Sequence, residues 1–507
     1  MKAPALLLCA PLLAGFVLTS VCSAFPARPA AILQEGFAGT WQGEFSAPFD
    51  PQPLTVRIGL EQVQDGSWRG GFDADMLGPA LLRGPAAAEG LALECDFGGS
   101  VSELSLSRGK SGDDSDSENK LHARLTYQGL PIALELTRTA ADWIDALHFE
   151  VELPDEVPTQ VVLAGLDEGW LLPIQREVAE AMTEQGLVGL ALAVAVDREL
   201  FDARSWGWSD VSGELPVGGE TLFRWGSVSK VVTGIVAGKL ALEGKLDLDA
   251  DVRELVPEFP KKPFVVTTRQ LLGHLGGIVH YQHMPVVTRV DYGVEFPFRD
   301  AVRAIDMFRS APLIHAPGST FSYSTHGFVL AGAALERSSE LGFQGEVRRL
   351  VSEPLQLTTL EMDDPGAPRK QRTKGYRRTA DGRVFESGDS NVAWKLAAGG
   401  FQSTVSDMAR FGGALSDEHF VDEALQNLLF VSQQTAAGRS TGYSLGLSVS
   451  EGAGRLFVSH GGAQRRTRTH LLVAPREGLA VALMCNTESA NLQELATDIM
   501  RVLLDEQ

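Results

Sequence analysis

Ser227 and Lys230 are the residues whose types and spacing most directly suggest chemistry. They follow Phe223 in a short polar turn that runs into the apolar stretch 231–236, a pattern that predicts the first turn of a buried helix. Residues three apart share one face of a helix, so the amine would lie beside the hydroxyl. Desolvation lowers the pKa of a lysine in an apolar pocket, and the neutral amine can then accept the serine proton. The pair therefore indicates a serine nucleophile with a lysine base.

The spacing alone does not establish this chemistry. The same Ser-x-x-Lys spacing occurs at Ser107–Lys110 and Ser117–Lys120, in a polar loop rich in glycine and acidic residues, with no helix to align the side chains. Serine is also among the best helix N-caps, so Ser227 alone has a purely structural interpretation. Further candidate residues are needed to decide between the two.

Tyr323 and Thr325 lie in a loop that enters a predicted helix near His326. A tyrosine just before a helix can project its phenol into a cleft, although an ordinary core aromatic residue would also fit. Farther along the chain, His460, Gly461, Gly462 and Ala463 follow a predicted strand.

This last segment combines a histidine with two glycines. Glycines at a strand end allow a ligand or another backbone to approach closely. A histidine there can carry a proton or bind a substrate carboxylate, and exposed N–H groups can stabilise an oxyanion. A tight turn with a surface histidine is the alternative interpretation.

No metal or cofactor site is predicted. His280 and His283 have a spacing that a metal could use, and His274 lies nearby, but no carboxylate or cysteine set completes a site. The short basic run at residues 465–468 is interpreted as a solvated face, or alternatively as arginine that binds a substrate carboxylate.

Residues 168–507 are predicted to form an α+β domain with an antiparallel sheet flanked by helices. A helix at 172–185 precedes two apolar runs, 188–196 and 200–208, that indicate a hairpin. Three strands at 455–459, 469–473 and 479–486 and a helix at 491–505 close the chain. Strands are predicted at both ends of this domain, with mostly helical sequence between them. This order predicts that the two ends together form the sheet and that the middle of the domain forms a helical insert beside it.

The preceding residues have a different organisation. Residues 34–139 alternate in period two between turns and predict a small all-β barrel or sandwich, with an acidic loop at 109–119. Residues 140–167, with Pro154 and Pro158, are interpreted as a linker. Cys95 and Cys485 lie in apparent strands of different domains, which predicts two buried free thiols.

Residues 1–24 resemble a cleavable secretory signal, with Lys2, an apolar run and small residues up to Ala24. The protein is therefore expected to be secreted or periplasmic, with lipid attachment at Cys22 as a lesser alternative. The apolar run is short for a membrane span, and no stable span is expected. The net charge of −21 argues against nucleic acid as a partner.

Three motifs, in order, resemble those of the serine beta-lactamase and penicillin-binding protein-like family, in its class C-like branch. They are Ser227-x-x-Lys230, Tyr323-Ser-Thr325 and His460-Gly-Gly462. The resemblance extends over residues 168–507, with further similar stretches at 189–210, 249–260, 267–281 and 398–410. This branch includes D-alanyl-D-alanine carboxypeptidases, esterases and an animal mitochondrial beta-lactamase-like protein.

The resemblance implies a role for each residue. Ser227 would be the acylated nucleophile, Lys230 and Tyr323 would share the proton transfers, and the N–H groups of Ser227 and Ala463 would form the oxyanion hole. His460, Gly461, Gly462 and Thr325 would contact substrate. His460 stands where beta-lactamases have a lysine, and Thr325 replaces the usual asparagine; both differences weaken the case for beta-lactam turnover.

The sequence thus favours a secreted serine hydrolase acting through an acyl-enzyme on small esters or peptides, including D-amino-acid or peptidoglycan-derived ones. A true beta-lactamase or D,D-carboxypeptidase is the alternative within the family. A non-catalytic descendant that binds peptides or serves as a scaffold is the alternative from another class. The oligomeric state does not follow from the sequence.

Overall fold

The computed structural model describes residues 37–45, 54–62, 67–74, 80–87, 90–96, 101–108, 119–127, 130–139, 150–281, 301–363, 371–378, 382–387 and 392–505. The predicted signal at 1–24, nearly all of the acidic loop 109–119, and His283 lie outside these ranges. Within them, no helix combines the length and apolar composition needed to cross a membrane.

The N-terminal module consists of antiparallel strands that close on themselves. They are β1 Gly39–Phe45, β2 Leu54–Gln62, β3 Trp68–Ala74, β4 Ala80–Gly84, β5 Ala86–Ala87, β6 Gly90–Asp96, β7 Val101–Arg108, β8 Lys120–Tyr127 and β9 Leu130–Arg138. Neighbours in sequence pair with each other, except β4 and β5; β1 also pairs with β9, and β4 pairs with β6. The module is therefore a barrel, with β5 outside the closed ring.

The barrel interior is filled by side chains from alternating positions. On β8, Leu121, Ala123 and Leu125 are buried while His122 and Arg124 are exposed, as the period of two predicts. Among the described residues of the module, the core contains no catalytic constellation; its largest fully buried side chains are Trp41, Trp68 and Phe72. The predicted all-β module is confirmed, in its barrel form.

The strands of the remainder form one large and two small antiparallel sheets. They are β10 Glu150–Val151, β11 Thr159–Leu163, β12 Gly189–Val196, β13 Glu199–Asp210, β14 Leu215–Pro216, β15 Phe223–Arg224, β16 Glu361–Met362, β17 Gly375–Arg378, β18 Val384–Ser387, β19 Phe401–Ser403, β20 Ser448–Gly452, β21 Arg455–Gln464, β22 Thr467–Ala474 and β23 Leu479–Cys485. The large sheet has the order β11-β13-β12-β23-β22-β21-β20, with β14 paired to β13. Its centre joins β12 to β23, so the two ends of the domain meet there, as predicted.

Helices cover both faces of this sheet. They are α1 Glu168–Glu184, α2 Ser229–Leu242, α3 Thr268–Leu272, α4 Thr325–Arg337, α5 Gly342–Val347, α6 Leu396–Gly399, α7 Val405–Ala414, α8 Glu423–Leu429 and α9 Leu492–Asp505. Leu190, Leu192 and Val194 of β12 pack with α1 and α9, whereas the alternating alanines of the same strand pack with the layer that contains α2, α4 and α7. The predicted α+β class is confirmed.

The predicted linker at 140–167 requires a correction. From residue 150 onward this segment contributes two strands: β10 pairs with β18, and β11 forms an edge of the large sheet against β13. Its prolines and acidic residues suggested an extended connection. An extended segment that contains proline can also pair as the edge strand of a sheet. Asp202, buried on β13, accepts hydrogen bonds from the backbone N–H groups of Gly165 and Leu166 and holds the end of this segment in place.

The two predicted free thiols are confirmed: Cys95 and Cys485 are buried and carry no disulfide. Burial raises the pKa of the Cys485 thiol to about 11, so it remains protonated near neutral pH. Neither thiol belongs to the candidate site described below.

Candidate active site

Ser227 lies in a short 3-10 turn, Gly226–Val228, that leads directly into α2. The α-helix begins at Ser229, so Ser227 lies just before it rather than in its first turn, where the sequence predicted it. Trp225, just before the turn, is anchored on two sides: its N–H donates to Phe401 O (2.8 Å), and its carbonyl accepts the Thr469 hydroxyl (2.7 Å). Strands β19 and β22 therefore fix the position of the turn that carries Ser227, called the nucleophile turn below.

Lys230 is completely buried beside Ser227. Its Nζ lies 3.0 Å from Ser227 Oγ and donates a hydrogen bond to Ala398 O at 2.7 Å. Burial lowers the pKa of Lys230 well below its ordinary value, and the nearby Lys395 ammonium lowers it further. This shift favours the neutral amine, which can offer its lone pair to the serine hydroxyl.

Tyr323 comes from the loop that precedes α4 and faces the same pair. The Lys230 Nζ lies 5.0 Å from the centroid of its ring, and its phenol shares a hydrogen bond with Ser227. Burial raises the pKa of Tyr323 above its ordinary value, and the bond to Ser227 only partly opposes this shift. The phenol is therefore protonated at neutral pH, which makes it a proton donor and relay rather than a standing base.

His460 is buried on β21, and both of its ring nitrogens have protein partners. Its Nδ1–H donates to Gly461 O at 2.7 Å, and Nε2 accepts the hydroxyl of Tyr443 at 2.8 Å. Burial, followed by the charge of Lys230, lowers the pKa of His460 to about 3. The ring is therefore neutral, and both of its nitrogens are hydrogen-bonded within the protein. No ring N–H remains to bind a substrate carboxylate.

Gly462 is required by close packing behind the nucleophile turn. A Cβ at this position would lie 2.1 Å from Thr469 Oγ1 and 2.2 Å from Trp225 O, so any side chain would push β21 away from the turn. The same approach brings Ala463 N to 3.0 Å from where a Cβ on Gly226 would stand. Because Gly226 adopts φ 52°, a left-handed conformation, this turn also favours glycine.

Ala463 thus lies beside the residue that precedes Ser227. Strand β20 pairs with β21 only as far as Ser459, so the segment from His460 to Gln464 extends beyond that neighbour. Gly461 is exposed on this extension. The arrangement suits the predicted oxyanion hole, with N–H groups from the serine turn and from the strand.

Thr325 is buried as the first residue of α4. Its backbone N–H donates to Nδ1 of His280 at 3.0 Å. This bond occupies one nitrogen of a histidine that the sequence considered as a metal ligand. Within the described part of the chain, no group of three or more histidine, cysteine, aspartate or glutamate side chains is placed to hold a metal ion.

Three site residues were not identified from the sequence: His274, His280 and Tyr443. His274 and His280 were considered for a metal site that was then rejected, and Tyr443 was not considered. His274 stacks against Tyr323, with ring centroids 4.1 Å apart, and Tyr443 holds His460. The one available signal was the scarcity of tyrosine, six residues in 507, which does not say where each one folds.

Comparisons with known proteins identify the family to which this chain belongs. The Beta-lactamase family profile matches residues 174–504. The human protein "Serine beta-lactamase-like protein LACTB, mitochondrial" is 26% identical over 419 residues, covering 62% of this chain and 76% of that protein. A "D-aminopeptidase" of Gluconobacter oxydans is 26% identical over 305 residues, covering 60% of this chain and 56% of its own length.

A solved structure shares the fold. The D-amino acid amidase of Ochrobactrum anthropi, complexed with D-phenylalanine, superposes with a TM-score of 0.57 at 20% identity, over 66% of this chain and 99% of the amidase. At that identity the likeness concerns the fold alone. Because the family profile covers most of the chain, the protein belongs to the Beta-lactamase family, whose hydrolase-named relatives support a hydrolase.

Proposed function

We propose that this protein is a serine hydrolase that forms an acyl-enzyme on Ser227 and cleaves small amides, peptides or esters. The observation that carries the proposal is the contact of 3.0 Å between Ser227 Oγ and a completely buried Lys230 Nζ. A buried lysine without a catalytic role would be costly, since desolvation opposes its charged form. Here the same desolvation favours the neutral form of Lys230, which can act as a base.

Acylation follows from these positions. Lys230 accepts the proton of Ser227 as Oγ attacks the substrate carbonyl and forms the new C–O bond. The carbonyl oxygen becomes an oxyanion, and the N–H groups of Ser227 and Ala463 are its proposed donors. A donor of this kind is typically worth about 10²–10³ in rate.

The leaving group then needs a proton. The Tyr323 phenol donates its proton to the departing nitrogen or oxygen and regains one from the Lys230 ammonium, so both groups return to their starting states. Water attacks the acyl-serine through the same groups in reverse, which releases the acid and restores the Ser227 hydroxyl.

The substrate class is proposed from the site and the relatives together. The relatives include a D-aminopeptidase, which favours small amides and peptides that contain D-amino acids. A neutral His460 with both nitrogens engaged cannot supply the cation that a beta-lactam carboxylate requires. Thr325 offers a hydroxyl in place of an amide.

Ester cleavage is expected to exceed beta-lactam cleavage in kcat/KM by about tenfold or more, because one charge-assisted hydrogen bond to the substrate is missing. Steady-state assays of a p-nitrophenyl ester and a chromogenic cephalosporin on the same preparation measure this ratio. Ser227→Ala is the matched control and should lose both activities. A cephalosporin value above the ester value, lost in Ser227→Ala, would contradict the substrate class.

Covalent labelling separates a hydrolase from a non-catalytic descendant. A fluorophosphonate probe should modify the native protein at Ser227, and peptide mapping should find the adduct there. A folded protein that resists the probe and cleaves neither activated esters nor D-amino-acid amides would favour a binding or scaffold role instead.

We also propose export to the periplasm or the medium, from the signal-like composition of residues 1–24. After expression of the full chain in a bacterial host, N-terminal sequencing of the exported protein should begin at Phe25. A mature protein that begins at Cys22 with added lipid mass would support the anchored alternative. Retention of residues 1–24 on intracellular protein would refute export.

A further inference from the structure

The loop that carries Tyr323 is tied to a single residue on both sides. The N–H of Ser322 donates to the carbonyl of His274 at 2.8 Å, and the N–H of Ser324 donates to His274 Nδ1 at 3.1 Å. Both neighbours of Tyr323 are therefore bound to His274, one through its backbone and one through its side chain.

The imidazole of His274 also packs directly against the Tyr323 ring. It is 2% exposed, and its centroid lies 4.1 Å from that of Tyr323 and 4.7 Å from that of Tyr443. Phe328 packs against the same imidazole at 5.1 Å. Because aromatic rings surround the imidazole, its rotation would require the phenol of Tyr323 to move.

The hydrogen-bond pattern requires one form of this histidine. Since Nδ1 accepts the N–H of Ser324, the ring proton must be on Nε2. Burial keeps the pKa of His274 well below its ordinary value. The acceptor is thus retained at neutral pH, whereas a protonated ring would lose it.

The neighbouring hydrogen bonds, made by His280 and Val279, stabilise a different part of the loop. His280 Nδ1 accepts the N–H of Thr325, and Val279 O accepts the Ser324 hydroxyl at 3.2 Å and the His326 Nδ1–H at 3.0 Å. These bonds hold the start of α4. Of the two histidines that accept backbone N–H groups here, His274 is the one bound to both neighbours of Tyr323.

We propose that His274 is a positioning residue for the proton transfers at Ser227: by binding Ser322 and Ser324 and stacking on Tyr323, it holds the phenol against the Ser227–Lys230 pair. The inference rests on the proposed function, because it assigns Tyr323 a part in acylation or deacylation. In this proposal His274 acts through Tyr323 and transfers no proton itself.

The test compares two replacements of similar shape in the full chain. His274→Asn keeps an acceptor near the position of Nδ1 and tolerates the φ of 58° found at this residue, whereas His274→Leu removes the acceptor. His274→Gly also removes the acceptor and accepts the same backbone conformation, so it replaces the leucine variant if that variant does not fold.

We expect His274→Leu, or the glycine variant, to lower kcat for a p-nitrophenyl ester by about 10²-fold, as for other misplaced catalytic groups, with KM changed less than about threefold. His274→Asn should recover kcat to within about fivefold of the native value. His326→Leu, which removes another buried histidine, controls for a general loss of packing and should alter thermal stability more than kcat.

A double-mutant cycle with Tyr323→Phe gives the decisive readout. If His274 acts through the phenol, His274→Leu or its glycine replacement should cost less than about threefold in a protein that already lacks this hydroxyl. Equal losses in both backgrounds, or a folded acceptor-free variant with native kcat, would overturn the inference. Failure of the native protein to be labelled at Ser227 would instead overturn the proposed function, so the two failures are distinguishable.

Discussion

Replacing Ser227 by alanine is expected to reduce ester turnover by about 10⁴-fold or more and to abolish covalent labelling. Among the described residues, the Ser227 hydroxyl is the nucleophile that lies 3.0 Å from the buried amine of Lys230, so its loss should remove the attack. Initial rates with a p-nitrophenyl ester and intact mass after fluorophosphonate treatment measure the two effects.

Ser229 provides a matched control for this experiment. It lies two residues away, is completely buried, and its hydroxyl accepts the N–H of Phe401 at 3.3 Å rather than facing the cleft. Ser229→Ala should keep the label, whereas Ser227→Ala should lose it while retaining the native circular dichroism spectrum. An adduct mapped to a serine other than Ser227 would rule out the mechanism.

Replacing Lys230 by methionine should lower kcat/KM by about 10²–10⁴-fold, the usual contribution of a general base. Methionine is apolar and of similar length, so it suits the buried site of Lys230 but cannot accept the serine proton. Lys230→Arg is the complementary variant, because a guanidinium remains charged and is also unable to act as the base. Steady-state kinetics of both variants, with thermal denaturation to verify folding, test the assignment.

The pH dependence of the native enzyme follows from the same residue. Burial lowers the pKa of Lys230, and the active form is the neutral amine. As pH falls through that lowered pKa, the amine takes up a proton and kcat/KM should fall up to tenfold per pH unit; above it, the rate should level off. A rate that rises on acidification, or a Lys230→Met variant near native activity, would contradict the role of Lys230.

The elements of the fold were predictable where a local period carried the signal. The apolar run after Lys230 predicted α2, and alternating residues on β8 predicted a barrel or sandwich strand. Strands β10 and β11 were missed because their short segments are recognisable only through their partners, β18 and β13, which lie far away in the chain. A strand's backbone bonds come from its neighbour, and a local pattern does not identify that neighbour.

The sequence by itself predicted the Ser227–Lys230 pair, because residues three apart share one face of a helical turn. Only the tertiary structure decided what surrounds the pair. Tyr323, Tyr443 and His460 come from distant loops and strands, and long-range packing brings them together. The protonation states of these groups and of Lys230 also depend on this packing, since burial favours the neutral forms of the amine, the imidazole and the phenols.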